Sequence, residues 1–279
     1  MSTVAEYYAE KNVLVSGGTG FVGKVLVQKL LQSCPEIGRV YLLMRPRRGI
    51  GAKCRLSRFI SSKVFDNIRS RPHIFEKLHL IRGDLLLENL GISDEDAQLL
   101  RDDCHVVFHC AANVKFDAPL REAVDMNVVG SHRMLELAKS MKNLEVFVHL
   151  STTYCRADLP VLEETLYPTK HDPLEVIRVT RWLDAETLQH LESKLISPQP
   201  TTYSYTKCLA ESLVSQYEGC FPIAIARPSI VTASLREPFP GWVDNMNGPT
   251  GIIVGAGKGP PSKITPKLTC VKTLAIRFK

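Results

Sequence analysis

Lys11-Asn-Val-Leu-Val-Ser-Gly-Gly-Thr-Gly-Phe-Val-Gly23 decides the fold. Its first six residues are a short, mostly apolar run that breaks at once into glycines, so residues 11–16 read as a buried strand. From Phe21 to Gln32 the apolar residues Val22, Val25, Leu26, Leu30 and Leu31 recur at helical spacing. A strand, a glycine turn and a helix in that order form a seat for a pyrophosphate. Gly17 allows the tight turn, Gly20 lets phosphate approach the backbone, and Gly23 lets the helix press on the strand. The helix start offers free N–H groups and partial positive charge. Thr19 and Phe21 lie in the same turn and are further candidate cofactor contacts. A lone G-x-x-G-x-x-G carries little weight, but here it sits in the required context.

Working outward, apolar runs at 39–44, 78–81, 105–109, 146–150 and 222–226 read as five more strands. Helical patterns fall between them at about 52–68, 119–141 and 202–218. Strands alternating with helices predict parallel βαβ units with right-handed crossovers. The expected fold is therefore an α/β doubly wound parallel sheet, a Rossmann fold, with ligands at the carboxyl ends of its strands. Residues 167–199 carry one helical pattern over 174–195 and are expected to form an insertion over the site.

The strand ends supply the chemistry. Arg45, with Arg47 and Arg48, stands where an acid would accept from the adenosine ribose hydroxyls. Guanidinium groups suit a 2′-phosphate, so NADPH is the expected cofactor. Asp84 is placed to accept from the adenine amino group, with Leu85 against the ring. Ala111 and Ala112 leave room after strand four. Asn127 is a polar residue in an apolar helix, read either as a bridge between backbone groups or as a plain structural hydrogen bond. Tyr203 and Lys207 are four apart and share one helix face. A cation beside a phenol favours the phenolate, predicting a lowered tyrosine pKa and a general acid suited to neutral pH. Tyr205 points elsewhere. Thr152 is the expected hydroxyl partner of Tyr203 at a substrate carbonyl, with Ser151 as the alternative. Lys207 is also expected to hold the nicotinamide ribose.

Composition excludes several classes. The net charge of +6 comes from 35 Lys and Arg against 29 Asp and Glu. The six cations after Asn245, where no acid occurs, equal the whole excess. A neutral body has no footprint for nucleic acid. Eight cysteines without a CxxC pair, and no apolar leader, read as reduced thiols in a cytoplasmic chain. Cys104-His-Val-Val-Phe-His-Cys110 reads as a buried strand rather than a metal site. No run reaches the roughly 18 apolar residues that span a bilayer.

Together these segments resemble the extended short-chain dehydrogenase/reductases and, more narrowly, the animal alcohol-forming fatty acyl-CoA reductases. The resemblance is carried by residues 13–27, 40–46, 107–116, 147–154 and 202–207. Arg227-Pro-Ser-Ile-Val231 and Pro240-Gly-Trp-Val-Asp-Asn-Met-Asn-Gly-Pro-Thr-Gly251 complete it. It implies that Gly17, Gly20 and Gly23 match the cofactor loop, that Thr152, Tyr203 and Lys207 match the catalytic group, and that Pro228 lies by the cofactor. It implies NADPH-dependent reduction of long-chain acyl-CoA to a fatty alcohol through a bound aldehyde, in a family often anchored at peroxisomal or endoplasmic reticulum membranes. A sugar-nucleotide epimerase or dehydratase would share the loop and the Tyr/Lys pair, and a non-catalytic NADP-binding protein would share the loop. Residues 1–259 are expected to form the reductase domain. Residues 260–279, basic and broken by prolines, depart from the family and are expected to be a disordered tail, leaving the acyl site open and acyl-CoA reduction poor.

Overall fold

The computed structural model describes residues 3–45 and 49–257. Arg47, Arg48 and the expected tail over 260–279 lie outside the described residues. A short helix α1 (Val4–Tyr8), held by a reciprocal Thr3–Glu6 capping box, precedes β1 (Val13–Ser16) and α2 (Phe21–Ser33). Then come β2 (Val40–Met44), α3 (Ala52–Ile60), β3 (Leu78–Arg82), α4 (Asp94–Asp103) and β4 (Val106–His109). The long helix expected after β4 is α5 (Leu120–Val124) and α6 (Gly130–Lys139), joined by a widened π turn over Asp125–Val129. It is followed by β5 (Val146–Leu150), α7 (Pro173–Trp182), α8 (Ala185–Ile196), α9 (Thr202–Ser215), β6 (Ile223–Ala226) and α10 (Pro249–Gly257).

The six strands form one parallel sheet in the order β3-β2-β1-β4-β5-β6, as the alternation predicts. The strand order reverses between β1 and β4, and the crevice above that switch point is where such sheets bind ligands. Successive residues of β1 face opposite layers. Leu14 packs with Tyr41, Val107 and Phe147 under α6 and α9, whereas Val13 and Val15 pack with Val27, Leu30 and Phe65 under α2.

Three expected elements are divided by local chemistry. The 52–68 pattern stops at Ile60, because the Ser62 hydroxyl donates to the Phe59 carbonyl at 2.6 Å, and resumes as a 3-10 turn over Lys63–Ile68. The 174–195 pattern splits because Asp184 caps a new helix through the Thr187 N–H at 2.9 Å. Helix α4 had no sequence expectation, although Ser93 caps it and three acids fill its first turn.

The insertion also lies elsewhere than expected. Arg121 Nε donates to the Thr180 carbonyl at 2.9 Å and the Leu120 N–H to Glu192 at 3.0 Å. Tyr205 meets His171 Nδ1 at 2.9 Å. Helices α7 and α8 thus cover α5 and the Tyr205 face of α9, turned away from the Tyr203–Lys207 face. Their buried Val176, Ile177 and Leu188 draw them onto that core.

Candidate active site

The phosphate loop is shaped by close backbone approach. Gly17 has φ +71°, and a Cβ there would lie 2.6 Å from the Ala111 nitrogen as the chain leaves β4. A Cβ on Gly23 would lie 2.3 Å from the Gly17 carbonyl oxygen. No side chain of this larger size fits at either position, so α2 is pressed onto the turn. Gly20 caps α2 without any side-chain hydrogen bond, leaving first-turn N–H groups for a ligand. The cradle that a Cβ would fill fits a dinucleotide pyrophosphate.

The crevice beside it is lined by Gly17, Thr19, Gly20, Arg45, Asp84, Leu85, Ala111 and Ala112, among others. Eight expected cofactor positions are therefore brought together. Arg45 reaches Asp84 at 3.4 Å, and Asp84 also accepts from the Leu86 N–H at 3.1 Å. Sequence reasoning missed Arg55, whose guanidinium donates to the Arg45 carbonyl and, at 3.1 Å, to the Thr19 hydroxyl. Arg55, Arg58 and Lys24 line a second, basic hollow that shares Thr19 and Arg55 with the crevice. The signal was the basic character of the helix after β2.

At the other end, β5 delivers Ser151 and Thr152 beside α9. Lys207 is buried, and its ammonium donates to the Leu150 carbonyl at 2.7 Å. Burial lowers its pKa to about 8. The Thr152 hydroxyl stands beside the Tyr203 phenol and accepts from the Tyr154 N–H at 3.2 Å. Burial raises the Tyr203 pKa, and the neighbouring Thr152 hydroxyl partly offsets it. The expected lowering of that pKa is thus not met, because desolvation outweighs any help from Lys207, whose charge is held on Leu150. Tyr203 is accordingly a phenol at neutral pH, which is the form that donates a proton. Ser151 is buried with no partner for its hydroxyl. Phe116, 64 % exposed, lies with its ring 5.5 Å from that of Tyr203.

Two supports hold these groups. Asn127, in the π turn, accepts from the Asn113 N–H at 2.7 Å and donates to the Asn113 carbonyl and the Thr206 hydroxyl at 3.1 and 2.9 Å. It bridges the β4 loop to α9, the first of its two readings; widened turns of this kind recur at functional sites. Arg227 is bidentate on Glu211 at 2.9 and 2.7 Å and also donates to the Glu163 and Thr165 carbonyls. Next to it, the Pro228 carbonyl accepts from the Thr153 N–H at 3.0 Å, fixing the turn after Thr152. His109 lies between the Ser16 and Ser131 hydroxyls at 2.7 and 3.0 Å. Among the described residues no group of His, Cys, Asp and Glu could hold a metal, and no helix is long and apolar enough to cross a membrane.

Residues 15–275 match the NAD-binding family described as male sterility protein. Fatty acyl-CoA reductase 1 of Mus musculus is 45% identical over 260 residues, 93% of this chain and 50% of the relative. The Homo sapiens protein of that name is also 45% identical, and fatty acyl-CoA reductase 2 of Mus musculus 43%, with the same coverage. The chain spans about half the length of the curated relatives it matches. Among solved structures, the terminal R domain of the myxalamid pathway has a TM-score of 0.60 at 23% identity, covering 85% of this chain and 53% of its own. The PhqB reductase domain from Penicillium fellutanum has 0.58 at 18%, covering 90% and 56%. UDP-glucuronic acid 4-epimerase from Bacillus cereus, in complex with NAD, has 0.53 at 23%, covering 80% and 57%. These likenesses are of fold.

Proposed function

Because the chain belongs to the male sterility protein family, we propose that it carries the reductase centre of an alcohol-forming fatty acyl-CoA reductase that uses NADPH. The observation behind this reading is the Thr152 hydroxyl beside the Tyr203 phenol, with buried Lys207 one helical turn on, at the carboxyl end of β5. The names of the relatives supply the substrate class.

Each NADPH, when bound, would supply one hydride, the first to the thioester carbonyl carbon and a second NADPH, taking the place of the oxidised cofactor, to the aldehyde carbon. The residues of the chain do the rest. Thr152 and the Tyr203 phenol hold the carbonyl oxygen as it gains negative charge. In the first reduction the C–S bond breaks, coenzyme A leaves as the thiolate, and the aldehyde forms. In the second, Tyr203 gives its proton to the alkoxide and a primary alcohol results. Lys207, fixed on Leu150, would hold the nicotinamide ribose and carries its positive charge one helical turn from the phenol. Arg45 and Arg55 are suited to the 2′-phosphate that distinguishes NADPH from NADH.

The test is direct. The purified chain is incubated with NADPH and a panel of acyl-CoAs and, separately, nucleotide sugars, and products are identified by mass. Fatty alcohol from long-chain acyl-CoA is the expected product. Turnover of nucleotide sugars alone, or of neither substrate, would overturn the reading.

A further inference from the structure

The stretch most specific to the resemblance, Pro240–Gly251, does not begin at the substrate end of the site. Residues 234–244 fold back across the sheet onto α2. The segment closes on itself, with the Ser234 N–H donating to the Trp242 carbonyl at 2.9 Å and the Gly241 N–H to the Ser234 carbonyl at 2.8 Å. Trp242 is 5 % exposed and stacks on Phe21, with ring centroids 5.1 Å apart and planes 11° from parallel. Asp244 pairs with Lys24, Glu237 with Lys29 at 2.7 Å, and the Pro238 carbonyl accepts from Asn67 at 3.3 Å. Leu235 and Phe239 stand in solvent at 85 % and 39 % exposure, Val243 is half-buried, and Pro238 is the one other buried apolar side chain of the segment. Trp242, the larger of the two buried apolar side chains, is its main anchor.

Two of these grips fall on the first turn of α2, which presents its N–H groups to a pyrophosphate. Phe21 is the first residue of that helix, and Lys24 lies one turn on, on the same face. The turn has no side-chain cap to fix its direction. Its inner side is fixed by Gly23 on the Gly17 carbonyl. Its outer side is fixed by Trp242 and Asp244. Lys24 also borders the basic hollow of Arg55 and Arg58, so Asp244 sets where that ammonium stands. We propose that residues 234–244 are a strap that aims the phosphate-binding turn, with Trp242 and Asp244 as positioning residues for dinucleotide binding. Neither touches the reacting atoms. The inference rests on the dinucleotide site of the proposed function and is independent of the acyl substrate.

Because the strap acts on the pyrophosphate, its loss weakens NADPH and NADH by the same factor. Loss of a 2′-phosphate contact weakens NADPH alone. Dissociation constants for both nucleotides are measured by calorimetry on the purified chain and on W242A, W242F and D244N, with melting temperatures alongside. W242A is expected to weaken both nucleotides about tenfold, the scale on which an aromatic pair acts. W242F, which keeps a flat ring on Phe21, is expected to restore both to within about twofold. D244N, which disturbs no buried apolar contact, is expected to weaken both by about threefold, the scale of a partly exposed ion pair. Unchanged affinities in folded W242A and D244N, with only the melting point lowered, would make the strap purely structural and overturn the proposal. Tighter binding in D244N would make Asp244 a mere counterion and overturn its part. Should W242A not fold, W242F and D244N decide the matter. A parent chain that binds dinucleotide but makes no alcohol removes the acyl-CoA reading and leaves this one standing.

Discussion

At the scale of single residues, the electrostatics of Tyr203 and Lys207 make opposite demands on pH. Lys207 has its pKa lowered to about 8 by burial, against an ordinary 10.5. Between those values the unfolded chain holds a proton that the folded chain has released, so Lys207 makes folding more favourable as pH rises from about 8 to 10.5. Turnover should move the other way, with an alkaline limb centred near pH 8 as the charge beside Tyr203 is lost. Paired pH profiles of melting temperature and turnover check this, and a limb that persists unchanged in Lys207→Met would assign it to another group. Tyr203→Phe should cut turnover by roughly 10²–10⁴, the usual cost of losing a general acid, while NADPH affinity stays within about twofold. Arg45→Ala and Arg55→Ala should each weaken NADPH roughly tenfold or more and leave NADH nearly unchanged, since a charge-assisted hydrogen bond is worth about 1.5–3 kcal/mol. Equal losses for the two nucleotides would remove the 2′-phosphate assignment.

At the scale of elements, the catalytic turn after β5 is held from the end of the neighbouring strand β6, which follows in the chain only after three α-helices. The Arg227–Glu211 pair is buried and fully hydrogen-bonded, and it ties the end of β6 to α9. Removing one partner leaves an uncompensated charge in the core. Glu211→Leu and Arg227→Leu should therefore each destabilise the fold by about 3–5 kcal/mol. The Glu211→Leu/Arg227→Leu double variant should lose less than the sum of the single losses, because it strands no charge. Denaturant midpoints for the four proteins measure the coupling, and strict additivity would contradict it. The same element scale shows where sequence patterns mislead. One helical period over 174–195 gave no hint that Asp184 would start a second helix, because a cap is a single side-chain event that periodicity averages away.

At the scale of the whole molecule, the sheet carries two buried histidines opposite one another, His109 and His149, in register on β4 and β5. Burial lowers the pKa of His109 to about 3 and that of His149 well below 6.5. Both stay neutral in the folded chain, whereas the unfolded chain takes up protons below about pH 6.5. Stability should then fall steadily as pH drops from 6.5 towards about 5, before most carboxylates titrate. His149 has no partner for either ring nitrogen, so His149→Phe should remove part of that acid sensitivity without loss of stability at neutral pH. A stability profile flat between pH 6.5 and 5 would show that neither ring is held neutral at a cost.

What the sequence determined by itself is what repeats or is local. The six strands, their parallel pairing and the glycine turn follow from short apolar runs alternating with helices and from glycines spaced for close approach. Gly17 and Gly23 were legible because backbone contact at 2.6 and 2.3 Å tolerates no other residue, and a missing side chain is visible in any sequence. Tyr203 and Lys207 were legible because four residues make one helical turn. Tertiary structure alone decided the rest. Whether Tyr203 is acidic depends on how much water and charge surround it, and burial reversed the expectation drawn from spacing. Arg55, ten residues after Arg45, reaches Thr19 only because α3 folds over the glycine turn. Trp242 meets Phe21 across a separation of more than 200 residues, and no local pattern encodes a contact whose two halves become neighbours only when the sheet has closed between them.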